Sequence, residues 1–273
     1  TAYEISLGLV GSEMCIRDSH SSERLLAALA LKYAMGPMGF GSLARDLRRL
    51  GLSTGRRRAA YASKSTLHRA FRSARPEPLC LVLALLALLV QALYARKLGG
   101  AVDGLLVYGL DSFYFTLDGY RVALHGGRRR AARALARAVA CVWLPGNCVV
   151  FAARSARDAA RWLELLPPGS TLVADAEFDC GELLRACASL RVSVALRRKG
   201  RRRPIGLRVE ARAYGLRKLV ERVFGAVERR RASALRFRSA EAAFKAALLV
   251  FAGHNLVALW RAGSLLDMFE RLD

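Results

Sequence analysis

Apolar and polar residues follow a helical pattern over the first third of the chain. Apolar side chains recur every three or four positions in segments 21–35, 42–55 and 63–76. The third segment begins with serines, which favour helix N-caps, and its helical pattern ends just before Pro76. These patterns predict a helical N-terminal domain that covers residues 20–100.

The most apolar segment of the chain runs from Leu79 to Ala95. It contains Gln91 and is bounded by Pro78 and Arg96. A helix that spans a membrane needs about 20 apolar residues, so this segment lies at the lower limit for a span. A core helix and a membrane span both fit the pattern; we expect a core helix and no membrane partner.

The pattern changes from helix to strand after Val102. Alternating or continuous runs of β-forming residues predict strands, and the stretches between the later strands have helical spacing. We expect strands at 105–117, 139–144, 148–154, 171–179 and 192–198, with segment 120–124 pairing back onto the first. Several strands followed by alternating helix and strand predict an α/β domain over residues 101–273, a mixed sheet flanked by helices.

Residues 1–19 need separate treatment. The stretch LVGSEMCIRDS within them resembles a translated sequencing adapter. We therefore expect these residues to be an artefact with no role in the fold, and the true N-terminus to be absent.

The formal net charge of +23 predicts a partner with dense negative charge. Nearly all of the positive charge is arginine, which suits bidentate phosphate contacts but is equally typical of a GC-rich genome. The segment 197–203 is a strongly basic loop, and we expect it to contact double-stranded DNA. The residues that would make these contacts are Arg197, Arg198, Arg201, Arg202 and Arg203. A simple solvated loop is the alternative.

A second candidate DNA contact lies in segment 63–76. On a helix, this segment presents its basic side chains on the outer face, namely Lys64, His68, Arg69 and Arg72. A helix-turn-helix reader of the major groove has this arrangement. Small helical hairpins adopt it for packing alone, so both interpretations stay open.

The cysteines do not form a metal-binding pattern. Five of them lie mostly in apolar runs, without a Cys-x-x-Cys pair or a closely spaced histidine. We expect buried reduced thiols and a cytoplasmic protein, without a zinc site.

Three acidic residues stand where structural acids are uncommon. Asp111 lies inside an apolar strand, Asp175 ends an apolar run, and Glu221 lies on a later basic helix. A buried carboxylate normally has a cation as partner. Each acid alone also fits an ordinary strand end or salt bridge.

Together the three acids resemble those of the DDE transposases of insertion sequences. The order is an Asp in a first strand, an Asp in the context A-D-x-x-[FY]-D, and a Glu on a later helix. Tyr214, Arg217 and Glu221 reproduce the first three members of a Tyr-Arg-Glu-Lys signature. The fourth member falls at Glu228 instead of lysine, and Arg229 is the nearest substitute. Asn255 and Leu256 also resemble the usual end of this family's domain.

The resemblance implies a ribonuclease-H-like catalytic domain and a two-metal reaction on DNA. Asp111, Asp175 and Glu221 would hold two Mg²⁺ ions, for which Mn²⁺ substitutes. Tyr214 and Arg217, with Arg229, would bind phosphates of the element ends and target. The implied reaction is cleavage followed by strand transfer, and a homodimer on DNA is compatible with it.

Two other classes of function fit the same residues. One is a hydrolytic nuclease, or a decayed transposase copy, of the same fold. The other is a non-catalytic arginine-rich nucleic-acid-binding protein. The catalytic interpretation predicts that the three carboxylates converge, that at least one has a raised pKa without metal, and that Glu228 lies to one side in a salt bridge.

Overall fold

The structure is a computed structural model that describes residues 22–35, 39–54, 61–97, 106–125, 128–196, 214–229 and 236–269. The predicted artefact at residues 1–19 and the basic loop Arg197–Arg203 lie outside these residues. The helices are α1 (Ser22–Met35), α2 (Phe40–Arg49), α3 (Lys64–Ser73), α4 (Pro76–Lys97), α5 (Ala156–Ala160), α6 (Gly181–Ser189), α7 (Lys218–Arg229) and α8 (Ala240–Phe269). The strands are β1 (Val107–His125), β2 (Arg128–Trp143), β3 (Cys148–Ala153), β4 (Thr171–Ala174), β5 (Ser193–Leu196) and β6 (Arg236–Phe237).

The helical character predicted for residues 20–100 is confirmed in α1 to α4. The short helices α2 and α3 turn Leu43, Leu47 and Leu67 inward against Leu25 of α1. The Ser63 hydroxyl caps α3 by accepting a hydrogen bond from the Thr66 N–H at 3.1 Å. Phe71 of α3 lies in the same core cluster as residues of the sheet and α8, so the helical segment packs directly on the rest of the protein.

Helices α4 and α8 are both long and apolar enough to cross a membrane by length and composition. The most apolar window of α8 is 72% buried, whereas that of α4 is 33% buried. The expectation of a core helix at Leu79–Ala95 therefore holds for one face of α4, which packs on β3 and α8. The other face carries exposed leucines at 81, 85, 88 and 89.

The six-stranded sheet has the order β3-β2-β1-β4-β5, with β6 paired to β1. β2 is antiparallel to β1 and to β3, whereas β4 and β5 run parallel to β1. The expected α/β architecture, a mixed sheet flanked by helices, is confirmed. The strand predicted at 171–179 is shorter, since β4 ends at Ala174 and a 3₁₀ turn follows at Ala176–Phe178. The prediction for segment 120–124 was wrong: this segment does not pair back onto the first strand. It continues β1 after an irregularity between Thr116 and Tyr120 and pairs with β2.

Side chains on the two faces of the sheet form two cores. One face packs Phe113 and Phe115 of β1 against α7 and α8. The other packs Tyr108 and Leu110 against α5, α6 and the segments around them. The alternation of side chains along β1 thus decides which layer each residue meets, and Asp111 shares the face of Phe113.

Asn255 explains why the C-terminal helix fits the sheet. Its side chain is fully buried. The amide oxygen accepts a hydrogen bond from the Val149 N–H at 2.8 Å, and the amide nitrogen donates to the Val149 carbonyl at 2.7 Å. This two-way pairing joins α8 to the backbone of β3 and satisfies a buried polar side chain.

The described cysteines are free, and four of the five are buried. Burial raises the pKa of Cys80, Cys148 and Cys187 to about 12. These thiols are therefore protonated and unreactive at neutral pH, as expected for core residues.

Gly109 sets the distance between β1 and α7. A Cβ atom at this position would lie 2.2 Å from Val220 Cγ2 and 3.1 Å from Leu144 Cδ2. Val220 precedes Glu221 on α7, and Gly109 lies two residues before Asp111 on the same face of β1. The missing side chain therefore lets α7 approach the strand that carries Asp111.

We predict that Gly109→Ala lowers the free energy of unfolding by about 1–3 kcal/mol, because the new methyl group must displace Val220. Chemical denaturation measures this change. Gly41→Ala is the matched control, since its Cβ would meet nothing closer than Lys64 Cδ at 3.8 Å. Equal stability of the Gly109 variant and the parent protein would show that α7 does not depend on this contact.

Candidate active site

Asp111 lies on the central strand of the sheet, paired opposite Ala140 of β2. Its side chain is 14% exposed. The Ser112 N–H donates a hydrogen bond to Asp111 Oδ1 at 2.8 Å. Burial raises the pKa of this carboxyl, and nearby Glu177 and Asp175 raise it further, whereas the Ser112 N–H and Arg217 oppose the change.

Asp175 follows directly after the last residue of β4. It precedes the 3₁₀ turn Ala176–Phe178, and its Oδ1 accepts a hydrogen bond from the Ala176 N–H at 2.8 Å. Leu110 of β1 is paired with Ala174 of β4, so Asp111 and Asp175 come immediately after paired residues on two parallel strands. Both aspartates use Oδ1 for a local backbone contact, which leaves Oδ2 available to a shared partner.

Arg217 is that shared partner. Its Nη2 lies 3.3 Å from Asp111 Oδ2 and 3.3 Å from Asp175 Oδ2, and its Nη1 lies 3.9 Å from Glu221 Oε1. The two aspartate oxygens therefore lie no further apart than twice 3.3 Å. Burial alone would lower the pKa of Arg217, but the facing carboxylates outweigh it and raise the pKa. One guanidinium thus joins all three predicted acids.

The segment that carries Arg217 is not one uniform helix. Tyr214 is followed by the 3₁₀ turn Gly215–Arg217, and α7 begins at Lys218. Tyr214 is half-buried and packs against Val173 and Ala195 of the sheet. Tyr214 is one of the nearby groups that raise the pKa of Arg217, so it borders the same site.

The remaining predicted residues contribute less to this geometry. Glu221 is 61% exposed and meets the aspartates through Arg217. Glu228 is exposed near the end of α7, where Arg229 is the last residue; the side chain of Arg229 is outside the described atoms. The guanidinium of Arg217 faces the carboxylates, and its contact with DNA phosphates stays a prediction.

Two of the three predicted metal ligands, Asp111 and Asp175, turn a carboxylate oxygen toward the same point. Within the part of the chain that the structure describes, no group of three acidic, histidine or cysteine side chains is close enough together to hold a metal ion. The predicted three-carboxylate ligand set is therefore not assembled, since Arg217 lies between the acids and supplies the positive charge. Hard carboxylate oxygens of Asp111 and Asp175 already face one point, as a divalent cation requires.

Sequence reasoning missed three polar residues beside this site: Ser112, Arg137 and Glu177. Glu177 lies in the motif ADAEFD, two residues after Asp175, and its acidic character was a usable signal. Arg137 is one arginine among many, and its sequence context does not distinguish it.

Residues 146–256 match the family model described as a transposase DDE domain. The match includes Asp175, Arg217 and Glu221, and it begins after Asp111. The resemblance to the DDE transposases is confirmed. No curated protein sequence matches the chain.

Among solved structures, the chain is similar to the Mos1 transposase paired-end complex with the left transposon end. The identity is 9% and the TM-score is 0.23, over 81% of this chain and 80% of that chain.

We predict that Asp111→Asn changes the pH dependence of stability. The folded protein holds the Asp111 proton more tightly than the unfolded chain, because its pKa is raised above 3.8. Proton binding by Asp111 therefore stabilises the native state of the parent at low pH, and this stabilisation is lost as the pH rises through the raised pKa. The Asn variant has no such proton, so its stability does not change in this way. Urea unfolding between about pH 4 and pH 7 should show the variant gaining stability relative to the parent. Asp46→Asn controls for a generic loss of negative charge, and a pH-independent difference would contradict the prediction.

We also predict that Arg217→Gln strengthens Mn²⁺ binding. The guanidinium competes with a cation for the same aspartate oxygens. A charge this close shifts the proton affinity of a carboxylate by about 1–3 powers of ten, so a gain of at least about tenfold is expected. Electron paramagnetic resonance of free Mn²⁺ measures the affinity. Arg222→Gln, on the exposed side of α7, is the control; equal affinities for both variants would exclude competition by Arg217.

Proposed function

We propose that this protein cleaves the ends of an insertion sequence and transfers them to target DNA in a metal-dependent reaction. The observation that carries the proposal is the convergence of Asp111 Oδ2 and Asp175 Oδ2 on a single Arg217 nitrogen. Two carboxylates that are close enough to share one cationic nitrogen are also suited to share a divalent cation. The similarity of residues 146–256 to a transposase DDE domain supports polynucleotidyl transfer as the reaction class.

Asp111 and Asp175 would hold Mg²⁺ or Mn²⁺, with Glu221 as the third ligand after Arg217 withdraws. When bound, divalent cations at such a site activate the attacking oxygen and stabilise the leaving oxygen at phosphorus. Water would be the first nucleophile and would free a 3′-OH, which then attacks the target strand. A movement of α7 or of the Glu221 side chain is required, because Glu221 is exposed and reaches the aspartates through Arg217.

Arg217 has a second role in this proposal. Its buried Nε has no hydrogen-bond partner among the described atoms, so the guanidinium is incompletely satisfied where it lies. Withdrawn from the aspartates, it would present a planar set of donors to a phosphate at the border of the site. Tyr214 would orient the same phosphate from the start of the turn.

We further propose that α3 binds double-stranded DNA. Lys64, His68, Arg69 and Arg72 are all exposed, and the helix contains no acidic residue. A basic helix face of this kind contacts phosphates or the major groove. The basic loop Arg197–Arg203, a homodimer on DNA and a cytoplasmic location stay predictions beside it.

Two alternatives predict different products. A hydrolytic nuclease, or a decayed copy of a transposase, would lack strand transfer although it keeps the site. A non-catalytic arginine-rich protein would bind DNA without metal-dependent cleavage. The burial of Asp111 favours an enzyme, because phosphate binding alone gives no reason to bury a carboxylate.

The test uses the full chain and a plasmid that carries the native DNA flanking the coding sequence. With Mg²⁺ or Mn²⁺, we expect the parent protein to cut this DNA and join the freed ends to a second plasmid. Asp111→Ala should reduce cleavage to the level measured without metal, because a ligand is lost, while DNA affinity stays the same. Cleavage by Asp111→Ala at the parent rate would overturn the catalytic assignment.

DNA binding is measured separately by fluorescence anisotropy at several salt concentrations. Arg69→Gln combined with Arg72→Gln should weaken binding to all sequences and lower the salt slope by about one unit per lost phosphate contact. Arg185→Gln, at an exposed position of α6, controls for the loss of positive charge. An unchanged slope in the double variant would assign α3 to packing alone.

A further inference from the structure

The end of β4 is held to β1 by contacts beyond the strand pairing. The ladder between the two strands ends at Leu110 and Ala174, one residue before each aspartate. Asp175 then caps its own 3₁₀ turn. The pairing alone therefore does not fix the separation of the two carboxylates.

A polar network formed by Ser112, Arg137 and Glu177 provides the missing connection. Ser112 Oγ donates a hydrogen bond to Glu177 Oε1 at 2.5 Å and accepts one from Arg137 Nε at 2.8 Å. Arg137 Nη2 also lies 3.1 Å from Glu177 Oε2. The Ser112 hydroxyl thus has one donor and one acceptor partner, which fixes its orientation.

This network lies on the opposite side of β1 from Arg217. Side chains alternate along the strand, so Asp111 faces α7 and Ser112 faces the layer that contains the 3₁₀ turn after β4. The guanidinium of Arg137 lies 5.6 Å from the ring of buried Phe178, which places it against that turn. Ser112 follows Asp111, and Glu177 comes two residues after Asp175, so the contact between Ser112 and Glu177 joins the two backbones that carry the aspartates.

We propose that Ser112, Arg137 and Glu177 are positioning residues that set the spacing of Asp111 and Asp175 for a divalent cation. The inference rests on the proposed function, since it assigns the two aspartates to one cation. Ser112 contributes twice, because its N–H also donates to Asp111 Oδ1 and leaves Oδ2 free to face the site. Supporting residues around metal ligands commonly change metal affinity by about 10–100-fold.

Because the network is partly exposed, a positioning role and a structural role predict different experimental results. The Arg137 and Glu177 side chains are 33% and 34% exposed, so their ion pair adds little to global stability. Loss of the network should therefore alter the metal site while the melting temperature stays nearly constant. A contact that served only folding would change both together.

The experiment measures Mn²⁺ affinity of the full chain by electron paramagnetic resonance, together with the melting temperature. Ser112→Ala and Glu177→Gln should each weaken Mn²⁺ binding by about tenfold, with little change in melting temperature. Ser112→Thr keeps the hydroxyl and should retain the parent affinity. Glu182→Gln is the matched control, because it removes a similar ion pair with Arg157, 2.6 Å long, on the same layer.

The outcomes distinguish the positioning role from the proposed function. Parent-like Mn²⁺ affinity in both Ser112→Ala and Glu177→Gln would overturn the positioning role and leave the metal site intact. Affinity losses that follow losses in melting temperature, or that Glu182→Gln reproduces, would overturn it in favour of general stability. If the parent protein binds no Mn²⁺, the proposed function fails, and the positioning role fails with it.

Discussion

The arrangement of this site depends on the need of half-buried carboxylates for a positive partner. Asp111 is largely removed from water, and a carboxylate in that position costs free energy unless a cation compensates it. Arg217 provides the charge and contacts Asp111, Asp175 and Glu221. These acids come from β1, from the segment after β4 and from α7. One guanidinium therefore connects three elements that are distant in sequence.

A steric constraint brings these elements within reach. Gly109 leaves a gap on β1 that Val220 fills, so α7 packs closer to the strand than a larger residue would allow. Val223 and Val227 extend the same apolar contact along α7, and both are buried. Because these residues fix the face that α7 turns toward the sheet, Glu221 is left at the exposed border of the site. Apolar packing on one side of the helix thus determines where its charged side can act.

The sequence predicted the sheet and its acids because both depend on local patterns. Runs of β-forming residues locate the strands, and an acid within such a run is conspicuous without any structure. The orientation of Arg217 was not predictable in this way, since an arginine in a basic segment fits solvent or phosphate equally well. Segment 120–124 was misassigned because a strand that continues through an irregularity and one that folds back have the same pattern. Arg137 depends on a partner on another strand, which no local pattern reveals.

The lengths of the Arg217 contacts indicate how firmly the guanidinium is held. Its two shortest contacts with the aspartates measure 3.3 Å, whereas charge-assisted hydrogen bonds of this type are about 2.7–2.9 Å long. A single nitrogen, Arg217 Nη2, is shared between both aspartate oxygens and approaches neither of them closely. The Nε of the same guanidinium has no hydrogen-bond partner among the described atoms. A divalent cation has twice the charge and binds carboxylate oxygens at about 2.0–2.1 Å in the case of Mg²⁺. Under the proposed function, the same two oxygens would favour the divalent ion over Arg217 once the acids close around it, which would release the guanidinium toward the phosphates of the DNA.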